Sequence, residues 1–213
     1  MVNYTNWLDI GLNIRLLLEN NMKFHYFLDN NAGWAGLLFD DKNVSLNYSI
    51  SYFMWDSLTE LLSGIRCISG SRFQIHSIEN IHLDFAFEKD KFEWNIDQEG
   101  SCVKFIFSKI NDSNLINLKI VELDDEEKCV YNDNIGLNDL IENILFSCSE
   151  ILRKYGIIGY SLNFWNDFPV VHYLILKDFI KNEIKFDTFI EINNDREQDM
   201  FRTDYSKEIE YLK

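Results

Sequence analysis

Side chains able to do chemistry gather most densely between positions 82 and 97. His82, Asp84 and Glu88 share one parity, and Glu93, Asn95 and Asp97 take the matching parity after a short turn. A histidine among carboxylates across a hairpin is equipped for acid–base transfer or for holding a metal. The plainer reading is the wet face of an amphipathic hairpin, since no neighbouring feature points to a perturbed environment. His25, His76 and His172 stand alone in sequence. Cys67, Cys102, Cys129 and Cys148 lack the paired spacing of metal sites, and Cys148 falls on an apolar helical stripe as a core residue would. No glycine-rich phosphate loop, serine elbow or paired metal-ligand motif occurs. The sequence therefore predicts a non-catalytic protein with no cofactor and no metal.

Charge is the stronger signal. Thirty-five acids face 20 bases over 213 residues, a formal net charge of −15. Such a surface repels phosphate backbones, which argues against direct nucleic-acid binding, and it attracts and steers a basic protein partner. Solubility alone accounts for the same charge equally well. Asp124, Asp125, Glu126 and Glu127 form the densest acidic run. It reads as a solvated loop tip, because adjacent carboxylates without spaced ligands and a glycine do not surround a cation. The candidate partner-binding residues are Asp84, Glu88, Glu93, Asp97, Asp124, Asp125, Glu126 and Glu127. Trp34, Trp55, Trp94 and Trp165 read as core residues, any of which beside an acidic rim would serve as an anchor.

The elements that must carry these residues are mainly strands. Apolar–polar alternation marks Phe73–Ile75, Ile81–Phe87, Phe92–Ile96, Val103–Phe107 and Ile116–Ile120, joined by short polar links that force antiparallel neighbours. After Ile120 the apolar parity slips to Val121 and Leu123, which predicts a bulge or a strand end. Upstream, Leu8–Leu18, Met22–Leu28, Trp34–Phe39 and Val44–Tyr52 read as further strands. Helical spacing replaces alternation at Trp55–Ile65 and at Leu137–Tyr155, with Asp56 or Ser57 near the first start and Gly156 as the second stop. A third helix is expected from Pro169 to Lys181. The predicted class is α+β: a large curved antiparallel meander with about three helices packed on one face, expected to twist strongly and half-close or split. Residues 1–192 read as a single domain and 193–213 as a polar tail with room for one weak helix between Tyr205 and Leu212. With 46% hydrophobic residues the chain is long enough to bury a core unaided. No secretory leader or membrane-spanning run is evident, so a cytoplasmic location is expected.

Several of these features recur together. Ser51-Tyr52, Asp56, Leu58, Leu61-Leu62 and Gly64 precede the strand array. A long helix then ends in Lys154-Tyr155-Gly156, followed by Tyr160 and by Trp165-x-x-Phe168-Pro169. This order resembles a loosely defined set of small acidic bacterial proteins, similar to the immunity proteins of polymorphic or contact-dependent toxin systems. The resemblance covers about Gly33 to Lys181 and carries over no functional residue. It implies a stoichiometric inhibitor that occludes the active or substrate-binding surface of a cognate toxin domain. Two alternatives stand beside it: an enzyme using the face around His82, Asp84 and Glu93, and a homo-oligomeric interaction protein.

Overall fold

The computed structural model describes residues 22–29, 33–42, 44–51, 56–71, 89–111, 113–124, 126–181, 188–191, 200–203, 209 and 212. The strands expected at Leu8–Leu18, Phe73–Ile75 and Ile81–Phe87 lie outside these residues. Within them the class is α+β, with a three-stranded and a four-stranded antiparallel sheet.

The first sheet has the order β1 (Met22–Leu28), β2 (Trp34–Asp41), β3 (Val44–Ser51). Alternation in the sequence becomes alternation in burial: Met22, Phe24, Tyr26 and Leu28 are buried, and Lys23, His25 and Phe27 face the other way. The second sheet runs in simple order through β4 (Lys91–Asp97), β5 (Cys102–Lys109), β6 (Leu115–Leu123) and β7 (Glu127–Gly136). Its buried row is Trp94, Ile96, Val103, Phe105, Phe107, Ile116, Leu118, Ile120, Tyr131 and Ile135. The register shifts between Ile120 and Val121, at the position where the apolar parity slips.

The two apolar faces meet. Phe24 lies against Trp94 and Phe105, with ring centroids 6.3 and 6.1 Å apart. Tyr48 is edge-on to Phe105, and Phe39 is edge-on to Tyr131 at 4.7 Å. A strongly twisted run of seven strands buries more apolar surface by splitting and facing itself than by staying open.

Helix α1 (Ser57–Ser69) packs on β4. Its N-cap is Asp56, whose carboxylate accepts the Thr59 N–H at 3.1 Å. The Trp94 indole N–H donates to the Ser57 carbonyl, and the Phe92 ring fills the space above Gly64. Helix α2 (Leu137–Phe164) runs beside β1. The expected stop is present at Gly156. Gly156 takes φ 67° and ψ 177°, which breaks the helix, but helical geometry resumes and closes at Trp165 in the left-handed region. Helix α3 (Val170–Lys181) packs against both α1 and α2.

β1 is a sheet edge, and α2 covers it. The outward N–H groups of Phe24 and Tyr26 donate to Asn143 Oδ1 and Ser147 Oγ, so the ladder is finished by helix side chains. Beyond α3, β8 (Thr188–Glu191) pairs antiparallel with β9 (Met200–Thr203). The stretch expected as a polar tail therefore contains a strand, and Leu212 packs against the core.

Candidate acidic binding surface

The four-stranded sheet sorts its charges by position. Glu93 and Asn95 point to solvent from β4, opposite Ile106 and Lys104 of β5. Glu93 is held between Lys91, at 2.5 Å, and Lys104, at 3.5 Å. The Lys91 hydrogen bond, with help from Lys104, keeps its carboxyl below the ordinary carboxylate range. Lys119 lies on the same face, opposite Ile106. The middle of this face thus sets three lysines against one glutamate and is not acidic.

The acids concentrate at one end. The β4–β5 turn carries Asp97 and Glu99, and the β6–β7 turn carries Asp124, Glu126 and Glu127. Val103, beside the first turn, pairs with Glu122, beside the second, so both tips project from the same end of the sheet. Local chemistry makes each turn. Gln98 donates its N–H to the Ser101 carbonyl, Glu99 and Gly100 both take positive φ, and Asp97 accepts the Glu99 N–H at 2.8 Å. Glu99, Asp124, Glu126 and Glu127 are exposed. Among the described residues at this end, Lys128 is the cation that answers them, 3.7 Å from Glu122.

Of the candidates read from the sequence, Asp97, Asp124, Glu126 and Glu127 are brought together here. Glu93 is on the lysine-bearing face. Asp84, Glu88 and Asp125 lie outside the described residues, as does His82. Sequence reasoning missed Glu99 and Glu122. Glu99 sits in a turn whose position was legible. Glu122 becomes part of the acidic end only through the pairing of β5 with β6.

The acidic end is fastened to the first sheet. Tyr48 donates its hydroxyl to Glu122 at 3.4 Å, and Ser51 donates to Glu99 at 3.5 Å. Ser51 pairs with Trp34, and the neighbouring Gly33 donates its N–H to the Asn163 carbonyl near the end of α2. That end of α2 exposes Ile158 (76%), Leu162 (73%) and Trp165 (65%), spaced four and three residues apart on one stripe. Among the described tryptophans, Trp94 is fully buried, whereas Trp165 is exposed next to this end.

One other group has the outline of a reactive constellation. Ser147 Oγ is 3.2 Å from His25 Nδ1, and His25 Nε2 is 3.8 Å from Glu150. Yet Ser147 is 1% exposed, its hydroxyl donates to the Asn143 carbonyl, and its oxygen accepts the Tyr26 N–H. The oxygen is engaged in holding β1 to α2 and has no room to attack a substrate. The Cys148 thiol is fully buried and pushed up to about 12 by desolvation, which makes it inert. Among the described residues no His, Cys, Asp or Glu side chains converge in threes as metal ligands, and no helix is long and apolar enough to cross a membrane.

Comparison of the chain with protein-family models, with curated proteins and with solved structures gives no match.

Proposed function

We propose that this protein is a non-catalytic acidic inhibitor that binds a basic protein partner, in the manner of an immunity protein occluding a cytoplasmic toxin domain. The observation that carries the reading is the convergence of two hairpin tips, which gathers Asp97, Glu99, Asp124, Glu126 and Glu127 at one end of a rigid sheet. Carboxylates held there pair with the Lys and Arg of a substrate-binding surface and raise the rate of encounter. The exposed Leu162 and Trp165 supply apolar anchors of the kind that set affinity once charge has steered the approach.

Co-expression with the product of the adjacent gene, scored by pull-down and by growth, tests this directly. The wild type is expected to capture the product and protect growth. Neutralising Asp124, Glu126 and Glu127 together (to Asn, Gln and Gln) is expected to weaken capture and protection. A partner bound equally well by the neutralised variant removes the acidic end from the account.

A second reading has its own support. Ile158, Leu162 and Trp165 form an apolar stripe that would also suit self-association. A monomer by light scattering at high concentration discards it, and a dimer dissolved by Leu162→Glu favours it.

A further inference from the structure

Between β1 and α2 lies a cleft of about 660 Å³. That volume suits a ligand the size of a mononucleotide. One wall is the outer face of the first sheet, with His25, Phe27 and Leu38. The other is α2, with Glu150, Ile151, Arg153, Lys154 and Tyr155. His25 and Phe27 are stacked on this wall, with centroids 5.7 Å apart and planes 17° apart. Gly36 allows this pair to lie close, since a Cβ there would meet the Phe27 ring.

The charge of the cleft is mixed, with the Arg153 and Lys154 cations of α2 in the same lining as the Glu150 and Asp29 carboxylates. Arg153 and Lys154 are adjacent and exposed on its rim, and neither makes an ion pair among the described residues. Lys177 and Lys181 of α3 extend the same positive field. Burial is the first cause that lowers the Lys177 ammonium, and Lys181 and Arg153 add to it. His25 is lowered mainly by burial, which keeps its ring neutral near pH 7 and able to stack as an uncharged plane. Glu150 and Asp29 supply hydrogen-bond acceptors within the same lining.

We propose that this cleft binds a small planar aromatic anion, with its ring against Phe27 and its phosphate or carboxylate at Arg153 and at Lys154, whose ammonium lies 4.8 Å from the Tyr155 ring centroid. A polyanion is disfavoured, because the surrounding net charge of −15 opposes a long phosphate chain. The inference does not depend on the inhibitor reading.

Titration of the 15N-labelled full chain with adenosine 5′-monophosphate and, separately, with indole-3-acetate tests it and distinguishes a phosphate from a carboxylate. Saturable one-to-one binding of at least one probe is expected, with a dissociation constant below about 1 mM. Amide shifts should be confined to 25–29, 38 and 147–155. Adenosine and inorganic phosphate, each carrying half of the recognition, should bind about tenfold more weakly than the mononucleotide if that is the probe that binds. The double variant Arg153→Glu, Lys154→Glu, with both changes at exposed positions, should lose about tenfold in affinity at an unchanged melting temperature. No shift with either probe at about 10 mM, shifts elsewhere, or affinity unmoved by the double charge reversal would overturn the proposal.

Discussion

Tyr131 and Asp41 set the stakes at the residue scale. Asp41 is 6% exposed, and the Tyr131 hydroxyl donates to it at 2.6 Å. Burial first, and then the carboxylate, push the phenol's ionisation up. Tyr131→Phe keeps the ring contact with Phe39 but leaves a buried carboxylate short of a donor. It should cost about 1–3 kcal/mol in urea unfolding. An equally stable variant would show that water replaces the phenol there. Arg66 and His172 make a second such point. Arg66 is buried, its Nε has no hydrogen-bond partner, and its Nη1 lies 3.2 Å from His172 Nδ1. Burial and then the guanidinium lower His172 below its ordinary value of 6.5. The unfolded chain therefore takes up the proton first as pH falls. The histidine's contribution to stability is present above about pH 6.5 and is lost as pH falls toward its lowered folded value. His172→Gln retains an acceptor for Arg66 and should flatten the acid limb of stability by at most about 1.4 kcal/mol per pH unit. An unchanged limb would exclude His172 as its source. Neither pair was legible in the sequence, because each joins residues about ninety or more positions apart.

Elements were legible where one face is buried and the other wet. β1, β4, β5 and β6 follow the alternation closely, and the slip after Ile120 marks a real register shift. β7 was missed because Tyr131 and Ile135 are its buried residues and most of the rest is Asn, Asp, Glu and Lys, which pattern as loop. The second helical run of α2 was missed. Gly156 does interrupt the helix, but the apolar stripe resumes at Tyr160 and Phe164, and tertiary packing carries the helix on. Gly64 reads from sequence as a turn or helix-end glycine, yet it lies inside α1 with Phe92 over it. Its added Cβ would stand 2.1 Å from the Phe92 ring, which is itself stacked on Phe107. Gly64→Ala gains helix propensity but must displace that ring. A net loss of about 1–3 kcal/mol is expected. A stabilised variant would mean that Phe92 swings aside freely.

At the scale of the molecule, the split into two facing sheets decides where charge can act. Composition gives −15 but not its distribution. Strand pairing gives the distribution: lysines answer Glu93 on the open face, while Asp97, Glu99, Asp124, Glu126 and Glu127 are carried to the tips. The alternation in sequence supplied the faces. The end could not be read until β5 and β6 were in register, since it joins turns that lie more than twenty residues apart. Exposed tips on a rigid sheet lose little conformational entropy on docking, and screening by salt acts on them fully. The most direct measurement is the stopped-flow association rate with the basic protein partner proposed above, taken from low to high salt. The wild type should associate fast at low salt and slow by about tenfold or more as the Debye length shortens. The variant neutral at 124, 126 and 127 should start slower and depend less on salt. Equal rates and equal salt dependence for the two proteins would contradict the claim that this end of the sheet does the steering.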